Sequence, residues 1–312
     1  MNKKHFLRLL LLSLAGILLS SCALVDAISF SATLLQANRA GVRFRRTYEH
    51  LELGVPFTRR SDVTLDVFSP EEGERHPVLI FIHGGGWDSY DKELFTPVAI
   101  QLLPQEMVVV IPDYTLYPDA EYDQMTREVA DATAWVLENI EAYGGDPDRV
   151  YLSGHSAGAH LSGLVAYDST WLEETGHSPD KVRGWIGMSG IYDVAAYEAQ
   201  RSERGLGSEI MTAVMQGKAN FRAASPISYV SGSGSRQATL IHGAMDETVP
   251  IEESRRMHAA LGEAGFQSEL IVYPEAGHSD FLIGALGDGD AQVIRDIGNI
   301  VHESSTSAED TE

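Results

Sequence analysis

The sequence has little cysteine, few basic residues and no long apolar run. Its 312 residues hold one cysteine, Cys22, which can close no internal disulfide. Lys and Arg number 23 against 45 Asp and Glu, for a net charge of −22. Such a surface repels phosphate backbones and anionic bilayers, so no nucleic-acid partner is expected. A bilayer span needs about 20 apolar residues, and the run from Leu9 to Leu19 falls short. The histidines lack the paired spacing of a metal site. The glycines form neither G-x-G-x-x-G nor a phosphate loop with its lysine. No metal and no cofactor is therefore expected.

What is present describes a globular chain, 44% hydrophobic and 22% charged, long enough for one large α/β domain. It opens with Lys3, Lys4 and Arg8, an apolar core, and then Leu19-Ser20-Ser21-Cys22. A basic start, a short apolar core and small residues make a secretory signal over residues 1–21. The ending resembles the lipobox of bacterial lipoproteins, which implies cleavage before Cys22 and lipid on its sulfur. The alternatives are a plain cleaved signal with an incidental cysteine, or an uncleaved N-terminal anchor. Ala23 stands where the aspartate of an inner-membrane retention signal would be, which points to the outer membrane. Without residues 1–21 the chain keeps 20 basic and 45 acidic residues, a net of −25. Residues 22–47 read as a tether that includes a helix, 48–303 as the domain, and 304–312 as a disordered acidic tail.

Within the domain, 48–56 and 62–68 alternate with period two and suit an antiparallel opening hairpin. The run 77–82 reads as a strand covered on both faces and 107–111 as the next buried strand, and 150–152, 182–188, 238–242 and 269–273 are further strand candidates. Helices are expected over 93–103, 122–143, 157–167, 252–264 and 290–302. In the second of these, Met125, Val129, Ala132, Val136, Ile140 and Tyr143 share one face, and Gly144-Gly145 ends it. Strands alternating with helices predict a mainly parallel, doubly wound α/β sheet with helices on both faces. Residues 189–235 break the alternation as a small insertion able to overhang a pocket.

The organising stretch is Gly154-His155-Ser156-Ala157-Gly158, between a strand-like run and a helix-compatible segment. This is the G-x-S-x-G pattern of a nucleophile elbow. The turn strains the serine backbone, and glycines are needed where the chain packs too closely for a β-carbon. Alone, the pattern is weak, since glycine-serine turns are common.

An acyl-transfer serine needs a base, a carboxylate to orient it, and donors for the oxyanion. In a doubly wound sheet these belong in loops at the carboxyl ends of strands, in the order serine, acid, histidine. Asp246 follows one strand candidate and His278 the next. Asp246 could instead cap the following helix, with Glu247 as the acid. Against His278 stand His83, His155, His160 and His242. Of these, His83 reads as shaping the glycine loop, His160 as packing or capping, and His242 as structural. Gly84 and Gly85, in His83-Gly84-Gly85-Gly86-Trp87, offer oxyanion donors together with the Ala157 N–H; the alternative is a tight turn. Trp87, Tyr114 and Tyr117 are candidates for lining the substrate pocket, or else core aromatics.

With HGGGW, GHSAGAHL, LIHGAMDETVP and PEAGHSD in this order, residues 48–303 resemble the α/β-hydrolase superfamily. They look most like its esterase branch with the HGGG loop. The run Ala142 to Val150 leading into the elbow is similar to kynurenine formamidases, bacterial feruloyl-esterase-like proteins and prenylcysteine methylesterases. Ser189–Asp193, Arg204–Leu206, Ala224–Pro226 and His278–Asp280 are most similar to the last group. The resemblance implies hydrolysis of a small-molecule ester through an acyl-enzyme on Ser156, or of a formamide by the same triad.

Overall fold

The computed structural model describes residues 35–36, 38–231, 237–280, 282 and 292–306. The expected signal over 1–21 and Cys22 lie outside them. Among the described residues no helix is long and apolar enough to cross a membrane.

Eight strands form one sheet: β1 (Leu51–Pro56), β2 (Thr64–Phe68), β3 (His76–Ile82), β4 (Val108–Pro112), β5 (Gly145–His155), β6 (Val182–Met188), β7 (Gln237–Gly243) and β8 (Gln267–Tyr273). Their spatial order is β1-β2-β4-β3-β5-β6-β7-β8. β1 and β2 make the expected antiparallel hairpin, and β2 pairs antiparallel with β4. Every pairing from β4 onward is parallel. The helices that position the site are α1 (Thr96–Leu102), α2 (Tyr122–Asn139), α3 (Ala157–Tyr167), α4 (Val194–Glu203), α5 (Glu209–Val214), α6 (Glu252–Glu263) and α7 (Gln292–Thr306).

Apolar runs without alternation become central strands because both sheet faces are covered. In β3, Val78, Ile80 and Ile82 enter one core cluster, while Leu79 and Phe81 enter the other. The first cluster takes α2 and α3, and the second takes α1 and α7. Helix α2 buries Met125, Val129, Ala132 and Val136 along the stripe that its 3.6-residue period predicts. Gly144, at φ 78°, terminates the 3₁₀ turn that follows it.

Two boundaries differ from the sequence reading. The helix expected in the tether covers residues 38–47, but it packs on the domain, with Phe44 and the adjoining Tyr48 against the second core cluster. Arg45 there pairs with the buried Asp66 of β2. Helix α7 runs to Thr306, past the expected start of the tail at 304. A helix extends beyond its last packed turn because each further residue adds a backbone bond.

Candidate active site

The site sits where β3, β5, β7 and β8 end. Ser156 joins β5 to α3 with φ 54° and ψ −118°, a conformation costly for any residue with a side chain. The local sequence holds it there by close packing. A β-carbon on Gly158 would fall 2.1 Å from the Ile82 carbonyl oxygen, and one on Gly154 would fall 2.4 Å from the Gly158 backbone. Only glycine fits at both positions. The Ser156 N–H donates to the Met188 carbonyl at 2.9 Å, which ties the elbow to β6.

His278 lies in the loop after β8, and its Nε2 is 2.9 Å from Ser156 Oγ. Its Nδ1 is 2.8 Å from Asp246 Oδ2, in the loop after β7. A carboxylate only accepts, so Nδ1 carries the proton and Nε2 is left to accept from the serine hydroxyl. The other Asp246 oxygen accepts from the Thr248 and Val249 N–H groups at 2.9 and 2.8 Å. His242 Nε2 is 3.2 Å from Oδ2 and shares its proton with the Val249 carbonyl at 2.9 Å. Burial pushes the Asp246 carboxyl up, but hydrogen bonds from His242 and His278 outweigh it. The group stays well below the usual carboxylate range and is ionised. Glu247 is exposed, and α6 begins behind Ile251 without a side-chain cap, so neither alternative for this loop matches the structure.

The other four histidines are structural partners of the site. His83 is buried between Tyr114 and Phe95, stacked at 4.5 and 5.5 Å. It donates from Nδ1 to the Gly84 carbonyl at 2.8 Å, which shapes the glycine loop. His160 donates from Nε2 to the Ala224 carbonyl at 2.7 Å, while its Nδ1 accepts from Trp87 Nε1 at 3.3 Å. Burial pulls its pKa down to about 4. His242 anchors Asp246. His155 donates from Nε2 to the main-chain carbonyl of His278 at 2.9 Å, a role the sequence gave no sign of.

The glycine loop reaches the nucleophile. A β-carbon on Gly84 would lie 3.2 Å from Ser156 Cβ, and Gly85 takes φ 128° with the Ser89 carbonyl pressed against it. Ala157 opens α3, so its N–H lacks an intrahelical acceptor at the positive end of the helix. Gly84, Gly85 and Ser156 line a cavity of about 600 Å³.

Of the three aromatic candidates, only Trp87 lines that cavity. Tyr114 is a correction: it is buried behind His83 and donates to the His83 carbonyl at 3.1 Å. Tyr117 is another. It packs on the core beyond Trp87, whose carbonyl its N–H meets at 2.9 Å. The insertion supplies walls that the sequence reading left unnamed, among them Ile191, Tyr197, Arg201, Ile210 and Met211. Among the described residues no group of three or more His, Cys, Asp and Glu is placed to hold a metal ion.

A family model described as BD-FAE matches residues 65–261, which spans β2 to α6 and includes Ser156 and Asp246. The chain belongs to the BD-FAE family. An Arabidopsis thaliana probable isoprenylcysteine alpha-carbonyl methylesterase is 30% identical over 78% of this BD-FAE chain and 61% of its own length. Esterase LipQ of Mycobacterium tuberculosis is 34% identical over 66% of this chain and 51% of its own. The chain thus spans only part of the curated relatives it matches. A solved structure of a truncated carbohydrate esterase from gut microbiota superposes with a TM-score of 0.70 at 20% identity, covering 83% of this chain and 98% of that one. That likeness fixes the fold of this BD-FAE member as an α/β-hydrolase.

Proposed function

We propose that the protein is a serine carboxylesterase acting on small-molecule esters. One observation carries the reading: the 2.9 and 2.8 Å hydrogen bonds that run from Ser156 through His278 to Asp246. In the proposed reaction His278 Nε2 takes the Ser156 proton as Oγ attacks the ester carbonyl. Asp246 holds the imidazole in the right tautomer and stabilises the imidazolium that forms. The N–H groups of Gly84, Gly85 and Ala157 receive the oxyanion, and loss of one such donor costs about 10²–10³ in turnover. Collapse of the tetrahedral intermediate expels the alcohol, which takes its proton from His278. Water, deprotonated by His278, then hydrolyses the acyl-enzyme and returns Ser156.

The test is hydrolysis of p-nitrophenyl acetate and butyrate by the wild type and Ser156→Ala, beside labelling by a serine-directed phosphonate. The expected result is a loss of roughly 10⁵–10⁶ in kcat and no phosphonate adduct in the variant. Full activity in Ser156→Ala would end the proposal.

We further propose export and lipid attachment at Cys22, supported by the basic, apolar and Leu-Ser-Ser-Cys order of residues 1–22. The Ala23 position supports the outer membrane as the destination. Membrane fractionation tests this: Cys22→Ser should leave the membrane fraction. Unchanged membrane association of that variant counts against the lipid.

A further inference from the structure

The cavity beside Ser156 straddles the sheet edge. On one side its wall comes from Leu94, Phe95 and Leu282, which belong to or pack on the core beneath α1 and α7. On the other side stand Ile191, Tyr197 and Met211 of the opposite core, and with them Arg201 of α4. The first wall is apolar. The second carries a cation.

Arg201 is held by neutral groups. Its Nε donates to the Gly207 carbonyl at 3.0 Å, and one terminal nitrogen donates to the same oxygen. The other terminal nitrogen reaches the Tyr197 hydroxyl at 3.4 Å. Tyr197 in turn donates to the Thr248 carbonyl at 3.0 Å, two residues past the triad acid. The guanidinium also lies 5.7 Å over the Tyr197 ring. Among the described residues no carboxylate forms an ion pair with it. A guanidinium has five N–H groups, and three are used here. The remaining two sit one on each terminal nitrogen, where a carboxylate can accept a charge-assisted hydrogen bond. Two carboxylates, Asp88 and Glu209, line the same cavity. Glu209 curls over Gly207, where a β-carbon would fall 2.4 Å from its Oε2.

Several cations on the surface of this chain are matched to acids. Lys218 pairs with Glu198, Arg60 with Asp131, and Arg127 with Glu174. Arg201 differs from these in being fixed by a carbonyl and a ring at the wall of the cavity that holds Ser156, within a chain of net charge −22. Holding it costs side-chain freedom that no ion pair returns. An anionic ligand would recover that cost.

We infer that Arg201 is an anion subsite, and that the substrate is an ester bearing a free carboxylate on one side of the scissile bond and an apolar group on the other. The inference rests on the esterase reading for the reaction, but not for the binding. With the apolar group against Phe95 and Leu282, the carboxylate meets the Arg201 fork, and the carbonyl lies over Ser156 between them.

The experiment pairs monoethyl succinate, glutarate and adipate with ethyl esters in which a methyl ketone replaces the free carboxylate. Within each enzyme the ratio of kcat/KM, acid over ketone, is the readout. The expected ratio is above one in the wild type and falls about tenfold or more in Arg201→Gln, through KM. Arg201→Lys, which keeps the charge without the fork, should fall between. Glu209→Gln, which removes a competing negative charge, should raise it. In parallel, calorimetric binding of monoethyl glutarate to Ser156→Ala should vanish when Arg201→Gln is added. Equal ratios and equal binding with and without Arg201 would overturn the subsite, as would a wild-type preference for the ketones. If the wild type hydrolyses none of these esters, its activity on p-nitrophenyl acetate decides the esterase reading, and the calorimetric comparison decides the subsite.

Discussion

His155 donates from Nε2 to the main-chain carbonyl of His278 at 2.9 Å, so the residue just before the nucleophile holds the loop that carries the base. The two rings lie 4.9 Å apart. Burial pulls the His155 pKa down to about 3, with the nearby His278 adding to the effect. It is therefore a neutral donor throughout the working pH range. His155→Phe leaves that carbonyl without its donor, a loss of about 1–3 kcal/mol. The expected outcome is a fall in kcat of about tenfold or more for p-nitrophenyl acetate. His155→Gln, which can still donate, should recover part of it. Wild-type kcat in His155→Phe would show that the loop is held by something else.

Asp246 and Glu247 are adjacent in sequence and opposite in environment. One is buried under four donors, His278, His242 and the N–H groups of Thr248 and Val249; the other faces solvent. Asp246→Asn should reverse the preferred His278 tautomer and cost about 10⁴ in kcat. Glu247→Gln should change it less than twofold. Steady-state kinetics on one ester settles the assignment, and equal losses in the two variants would refute it.

The buried histidines also set a pH dependence of stability. His160, lowered from 6.5 to about 4, stays neutral in the fold and charges in the unfolded chain. A group with a depressed folded pKa contributes stability that is whole above its unfolded pKa, here 6.5, and lost as pH falls towards 4. At 1.36 kcal/mol per pKa unit the loss is about 3 kcal/mol for this one ring. His160→Gln can keep both hydrogen bonds but does not titrate. Urea unfolding at pH 7 and pH 4 should therefore show the wild type losing about 3 kcal/mol more than the variant. Parallel losses would mean that the ring is already charged in the fold.

Two glycines make a contrasting pair. Gly158 meets the Ile82 carbonyl oxygen at 2.1 Å from an added β-carbon, whereas Gly262 of α6 has open space and a negative φ. Gly262→Ala should raise stability by about 0.5–1 kcal/mol, since alanine loses less backbone freedom in a helix. Gly158→Ala should lower both the melting temperature and activity sharply, because strand and elbow must separate. Thermal melts of the two variants test the pair, and a neutral Gly158→Ala would show a looser elbow than described.

Much of this could be read in order along the chain. The apolar runs of β3, β4, β6 and β7, the α2 stripe and the Gly144 stop are local signals, and each gave an element close to where it was expected. Tyr114 and Tyr117 misled because an aromatic near a motif is equally at home behind it. Tyr114 lies against the back of His83, away from the cavity. Arg201 was not singled out, since the nearby segment Arg204–Leu206 carried a family likeness but no chemistry, and only the fold brings Arg201 to the cavity wall.

By itself the sequence determined the order of strands and helices and the placing of a serine, an acid and a histidine after successive strands. Periodicity, glycine and chain order act over a few residues and need no distant partner. Only the tertiary structure decided which histidine meets Ser156, 122 residues away, which carboxylate lies beneath it, and which side chains wall the cavity. Those contacts depend on how the layers pack on one sheet edge, and no local rule carries that information.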